Sequence, residues 1–326
     1  DAIIEANQGH ATSYGDDTYT LKACDSLRSL FNTDCDVFFV FNGTAANALA
    51  LSSLCQGHNS IICQQQAHID VDECGAPEFF THGAKMLSAV GKDGKLAPAD
   101  VIRLASVDAD NFHSHKPKAL SLTQSTECGT VYSVEELKAL TATAKELGLY
   151  THMDGARFAN AVASLNCQPA DITWRAGVDV LCFGGTKNGL GIGEAVIFFN
   201  RSLAEEFAWR VKRAGQMCSK MRMLASQWLG VLEGDVWLMN ARHANEMAFR
   251  LAKGLEAFDC LTLNYSVQVN AVFVDLPEKT KTDLHAKGWH FYDFPGAGSR
   301  LMCAWDTSPE TVDAFLADVQ ECLPSP

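Results

Sequence analysis

The sequence has no run approaching the ~20 apolar residues of a membrane span and no signal-peptide pattern, so a soluble, cytoplasmic chain with no membrane partner is expected. It also has no block of Lys and Arg long enough to offset a formal net charge of -13. That charge repels phosphate backbones and anionic lipid, which argues against nucleic acid as a partner. There is no CxxC pair: the 12 cysteines stand singly, several inside apolar runs such as those holding Cys35, Cys63, Cys182 and Cys303. Such spacing points to buried reduced thiols rather than a disulfide frame or a zinc site, and no metal is expected. No internal repeat, low-complexity stretch or Pro/Gly-rich linker is visible. No GxGxxG follows a strand pattern, which weakens a nicotinamide-dependent oxidoreductase. What the 326 residues do supply is enough chain to bury roughly three quarters of the unfolded surface in a core.

Strand and helix signals alternate along that chain. VFFVF at 37–41 is a buried run of β-branched and aromatic residues, followed by NGT and the helix-like AANALALSSLCQG. KALSLTQ at 118–124 reads as another strand, and Ser133 with Glu136 forms a capping box for a helix whose Leu137, Leu140, Ala144 and Leu147 share one face. Gly148 ends that helix, LYTHMD follows as a strand, and VDVLCF and EAVIFF supply two more. The alternation predicts an α/β fold with a largely parallel sheet covered by helices. A long helical region is expected from about Leu203 to Phe258, and then a smaller α/β unit with strands NAVFVDLP and RLMCAW. The expected division is a large domain at 1–200 including an N-terminal segment, a bridging helical region at 201–258 and a small C-terminal domain at 259–326. The opening DAIIEANQGH lacks an initiator Met and reads as the tail of a helix already under way, so an upstream segment is expected.

Chemistry concentrates at FGGTKNGLGIGEA (183–195), where Lys187 stands among five glycines directly after VDVLCF. The residue order excludes a P-loop, whose Gly-Lys-Ser/Thr ending opens a helix, and GLGIG lacks the dinucleotide spacing. Two readings stay open on this stretch alone: a plain turn, or a lysine presented at a strand end for carbonyl chemistry. Asp154, ending LYTHMD, either caps the next helix or lines the crevice at the carboxyl edge of the sheet. NGTAAN is either an ordinary helix start or an anion cradle formed by the amides of Gly43, Thr44 and Ala45. Together the three elements are the minimum needed for pyridoxal 5'-phosphate. The cradle takes the phosphate, Lys187 carries the cofactor as an imine, and Asp154 keeps the pyridine nitrogen protonated. Gly184 and Gly185 would then let backbone approach the cofactor with no Cβ in the way, and Thr186 would donate to the phosphate.

Five motifs in order, NGTAAN, QAHIDVDECGAPEFF, TECGTVY, HMDGARFANA and FGGTKNG, resemble the low-specificity L-threonine aldolases, the β-hydroxy-α-amino acid aldolase branch of the fold type I pyridoxal-phosphate enzymes. The resemblance runs from YGDD (14–17) to RLMCAWD (300–306). It implies an aspartate aminotransferase-like fold with a mostly parallel seven-stranded sheet. It also implies cleavage of L-threonine, L-allo-threonine and relatives such as phenylserine to glycine plus an aldehyde. Lys187 matches the family's cofactor-bearing lysine, Asp154 its ring-nitrogen partner, and His68 the histidine that stacks on the cofactor near the substrate hydroxyl. Gly43 and Thr44 match the phosphate loop. Arg157 matches an arginine beside cofactor and substrate carboxylate, and Arg300 the main carboxylate clamp, a task suited to a planar guanidinium. Arg213 and Lys220, which the sequence by itself reads as a solvated helix face, match cations reaching the phosphate from a neighbouring subunit. The resemblance therefore implies a homo-oligomer, a tetramer built from dimers with shared active sites. Tyr14 is placed near the substrate, and Glu73 keeps the family's distance from His68 with no role assigned.

Two departures from the family pattern stand out. Glu127 replaces a histidine that many members carry, so the base for the substrate hydroxyl is either Glu127 acting through water or His68. The family's serine that contacts the substrate carboxylate belongs to a segment ahead of the present start, so the full carboxylate pocket is not expected to be legible in these residues. Two rival readings use the same residues: a lyase catalysing β-elimination from an aromatic or sulfur amino acid, and a non-catalytic binding protein on the same fold. The second is weakened by the presence of His68, Asp154 and Lys187 together.

Overall fold

The computed structural model describes residues 1–107 and 111–324. Its main sheet comprises β1 (Asp36–Val40), β2 (Asn59–Gln64), β3 (Lys85–Ala89), β4 (Lys116–Thr123), β5 (Tyr150–Gly155), β6 (Val180–Phe183) and β7 (Glu194–Phe198). Across the sheet the order is β1-β7-β6-β5-β4-β2-β3. Only β7 runs against its neighbours; β6/β5, β5/β4, β4/β2 and β2/β3 are parallel pairs. The α/β fold with a mostly parallel seven-stranded sheet is thus present. The pattern did not single out β2 and β3, because NSIICQ and KMLSA are short and carry polar ends.

Every residue of β2, β6 and β7 is buried, as expected of strands covered on both faces. Period-two alternation then assigns the faces. Ile62, Met153, Leu181 and Phe183 pack with Phe31, Phe158 and Trp228 on one side. Ile61, Val180 and Cys182 pack with Leu49, Leu51 and Phe207 on the other. That second side is covered by the helix Gly43–Leu54, whose Ala/Leu run is buried almost all round. His152 and Asp154 flank Met153 in β5 and so face this helix.

The capping box is as expected: Ser133 Oγ accepts from the Glu136 amide at 3.1 Å, and Glu136 Oε2 accepts from the Ser133 amide at 2.7 Å. One residue of the expected helix face departs. Leu147 lies past the helix end and is 38% exposed, because the chain turns through Gly148 at φ 70°, and Thr141 completes the buried face instead. The long helical region is also divided, into Phe207–Arg213, Arg222–Leu232 and Val236–Leu255. Gly215 and Gly234, both in the left-handed region, mark the breaks.

Helix Val236–Leu255 packs against helix Phe158–Leu165 of the main layer and against helix Pro309–Cys322 of the smaller one. The smaller layer is an antiparallel sheet of β8 (Thr262–Leu263), β9 (Ala271–Asp275), β10 (Tyr292–Phe294) and β11 (Gly298–Met302), ordered β10-β11-β9-β8. Arg300 stands at its centre, opposite both Tyr292 and Phe273. Cys35, Cys63, Cys182 and Cys303 are all free and buried. Among the described residues no helix is long and apolar enough to cross a membrane.

Candidate active site

The carboxyl ends of β1, β2, β5 and β6 lie at one edge of the main sheet, where crevices of parallel sheets open. Because β7 runs the other way, its first residue, Glu194, reaches the same edge. A cavity of about 310 Å³ sits there, lined among others by Gly43, Thr44, His68, Asp154, Thr186 and Lys187. Residues from five separate segments are thereby brought together.

Lys187 rides in a single helical turn, Thr186–Asn188, directly after β6. The turn is held from below and behind. Phe183 buries its ring against Trp228 and Trp237, at 4.9 and 5.7 Å between centroids. Asn188 Nδ2 donates to the Trp237 carbonyl at 2.7 Å, and Asn240 Nδ2 donates to the Asn188 carbonyl at 3.0 Å. The Gly185 amide donates to Glu194 Oε2 at 2.5 Å, and Thr186 follows on the cavity wall.

The two glycines before the lysine also answer to the protein itself. A Cβ on Gly184 would lie 2.5 Å from the Ala156 carbonyl oxygen, and one on Gly185 would lie 2.6 Å from the Gly193 carbonyl oxygen. They are needed because chain meets chain there.

Asp154 is fixed at both oxygens: Oδ1 accepts from the Ala156 amide at 3.0 Å, and Oδ2 from Asn47 Nδ2 at 2.9 Å. Asn47 donates its other hydrogen to Glu73 Oε1 at 2.8 Å, and the same oxygen lies 2.9 Å from His68 Nδ1. At the start of helix Gly43–Leu54, Asn42 Oδ1 accepts from the Ala45 amide at 2.8 Å. The cradle is thus narrower than expected. Ala45 is spent on the cap, and the Gly43 and Thr44 amides are left for a ligand. No atom lies within 4 Å of a Cβ built on Gly43.

Arg157, Glu127 and Arg300 stand beside this cavity, close enough for their charges to act on Lys187. Glu127 Oε2 lies 3.4 Å from Arg300 Nη2 and 3.9 Å from Arg157 Nη1. Arg300 Nη1 donates to the Tyr292 hydroxyl at 2.9 Å, while its buried Nε has no partner among the described residues. The Arg157 charge, and after it burial, hold the Lys187 amine below its ordinary value, against the opposing pull of Glu127 and Asp154. More of that amine is then free to attack a carbonyl at neutral pH. Beneath Asp154, burial drives His152 from 6.5 down to about 4. This neutral ring contacts Ser121 Oγ at 2.9 Å and Cys182 Sγ at 3.3 Å.

Three expected site residues lie away from the cavity wall. The exposed Tyr14 ring has Lys212 Nζ 4.5 Å above it, and its amide donates to the Ser219 carbonyl at 2.9 Å. Arg213 and Lys220, the chain neighbours of those two contacts, are exposed, and Arg213 lines a separate hollow with Ser52, Trp209 and Arg210. Conversely, Asn47, Glu194 and the function of Glu73 escaped the sequence reading. Asn47 did carry a signal, a lone polar residue within an Ala/Leu helix. Glu194 carried another, a carboxylate opening an otherwise apolar strand.

These residues fit pyridoxal 5'-phosphate: two open amides at a helix start, an aspartate locked in place on the cavity wall, a lysine with lowered proton affinity, and an orphaned guanidinium nitrogen nearby. Comparison with known proteins agrees. The family described as beta-eliminating lyase is matched over residues 1–279. The chain is 54% identical over 320 residues to a low-specificity L-threonine aldolase of Pseudomonas aeruginosa, spanning 98% of this chain and 92% of that protein. It is 52% identical over 323 residues to another from a Pseudomonas species, spanning 99% and 93%. A solved structure of threonine aldolase from Leishmania major superposes with a TM-score of 0.91 at 30% identity, spanning 98% of this chain and 94% of that one. The fold is that of the fold type I pyridoxal-phosphate enzymes.

Proposed function

The chain belongs to the beta-eliminating lyase family and, within it, to the low-specificity L-threonine aldolases; from that premise we propose that it cleaves L-threonine, L-allo-threonine and related L-β-hydroxy-α-amino acids such as phenylserine to glycine and an aldehyde. It is a pyridoxal-phosphate-dependent carbon–carbon lyase. The observation that carries this reading is the meeting of Lys187, Asp154 and His68 on one cavity with two arginines, Arg157 and the buried Arg300, beside it.

When bound, pyridoxal 5'-phosphate supplies a protonated aromatic ring that accepts the electrons released from a bond to the substrate α-carbon. Lys187 would carry it, Asp154 would hold the ring proton, and the Gly43 and Thr44 amides would take the phosphate. Arg300, with an Nε still open, and Arg157 bind the substrate carboxylate. Holding that group would fix which bond to the substrate α-carbon is presented for cleavage, so the clamp would decide which bond breaks. His68 presents Nε2 to the β-hydroxyl and takes its proton, because its Nδ1 is already engaged. Glu127 is the counter-charge of both arginines, a pairing that leaves it poorly placed to act as base.

The same reading divides the chain into a cofactor-binding unit at 1–200, bridging helices at 201–258 and a small unit at 259–326, supported by the separate sequence ranges of the two sheets. It assigns Arg213 and Lys220 to the site of a neighbouring subunit in a tetramer of dimers, supported by their exposure off the cavity of their own chain, and Tyr14 to the neighbourhood of the substrate. A cytoplasmic setting suits twelve free thiols.

The test is to incubate the loaded protein with threonine, allo-threonine and phenylserine and to quantify glycine and aldehyde in each. Glycine and aldehyde in equal amounts are expected, with borohydride fixing the cofactor on Lys187. A 2-keto acid in place of glycine would show β-elimination, and fixation on another lysine would overturn the site.

A further inference from the structure

Glu73 is an expensive residue to place where it is. Its side chain is fully buried, and burial pushes its carboxyl above the usual carboxylate range. Both hydrogen bonds fall on one oxygen, while Oε2 and Asn47 Oδ1 have no partner among the described residues. A carboxylate kept only for packing would be expected to satisfy both oxygens.

Geometry explains the asymmetry. The amide nitrogen of Asn47 must serve two acceptors that lie on different elements, Asp154 on β5 and Glu73 in the loop after helix His68–Val71. With Asp154 fixed by the Ala156 amide, Asn47 is fixed in turn, and Oε1 of Glu73 is held against His68 Nδ1. An acceptor at Nδ1 requires the ring to carry its proton there when neutral, which leaves Nε2 as the free acceptor on the cavity side. His68 lines the cavity and no partner for Nε2 is present among the described residues.

We propose that Glu73, held in place by Asn47, is a positioning residue that fixes the tautomer and orientation of His68 and tunes its basicity. This rests on the aldolase reading, in which His68 meets the substrate hydroxyl, but its test does not need turnover. The charged groups facing His68 are Glu73, Asp154 from β5 and Glu127 from the loop after β4, and all three favour its protonated form against burial. Lys187 shares the cavity.

The experiment is a proton–nitrogen NMR titration of ¹⁵N-histidine-labelled, cofactor-free protein, with the His68 signal identified by its loss in His68→Asn. Glu73→Gln keeps the shape and an acceptor but removes the charge. It is expected to lower the His68 midpoint by about 1 pH unit while the Nδ1-protonated tautomer is retained. Glu73→Leu is expected to lower the midpoint and also to mix the tautomers. In the loaded enzyme, Glu73→Gln should move the acid limb of kcat to lower pH, a change that loss of packing alone would not produce. An unchanged His68 midpoint and tautomer in Glu73→Leu would overturn the proposal. A protein that makes no glycine yet shows the expected His68 titration would overturn the aldolase reading and leave the positioning intact.

Discussion

His152 shows how one buried side chain near the site makes the whole chain sensitive to acid. It packs neutral under Asp154, between Ser121 and Cys182, with its pKa lowered from 6.5 to about 4. The sign follows from linkage. In the unfolded chain the ring takes up a proton below about 6.5, and in the folded chain only near 4, so the unfolded state binds more protons in between. The stability His152 confers is fully present above that window and is lost as pH falls through it, by up to roughly 3 kcal/mol. Urea denaturation of His152→Gln should therefore show a flatter decline in stability between pH 6.5 and 4 than the unaltered protein. Parallel declines would mean that other groups govern the acid limb.

At the scale of elements, two glycines of similar appearance do different things. Gly184 joins β6 to the lysine turn against the Ala156 backbone, with no room for a Cβ, whereas Gly43 opens a helix beside empty space. Gly184→Ala should cost about 1–3 kcal/mol of stability, since backbone has to move. Gly43→Ala should leave stability within about 0.5 kcal/mol, yet weaken cofactor binding because the new methyl stands in the anion cradle. Denaturation curves read beside cofactor titrations check both, and a destabilised Gly43→Ala would show that the helix start is structural only. The sequence made the lysine turn legible because a glycine-flanked lysine after an apolar run is a local pattern. It could not say what the glycines face, because Ala156 comes from another part of the chain and Gly193 is brought back onto Gly185 only by the folded turn.

For the whole molecule, the issue is how many chains make one site. Arg213 and Lys220 are exposed and do not line the cavity of their own chain. If they serve a neighbour, mixing Lys187→Ala with Arg213→Gln should raise activity above either parent, because one site of each mixed dimer then has both residues intact. Sites complete within one chain would gain nothing on mixing. The measurement is glycine production after co-refolding the two variants.

The sequence by itself determined the alternation of strands and helices and the capping box at Ser133, because each depends on neighbours within a few residues; Lys187 and Asp154 stood out at strand ends, and His68 only through the family resemblance. Tertiary structure alone decided the rest. Asn47 bridges Glu73 and Asp154 across 26 and 107 residues of chain, and Arg300 meets Glu127 across 173. Such partners are chosen by which strand ends the sheet order places at one edge, and that order is set by packing over the entire chain.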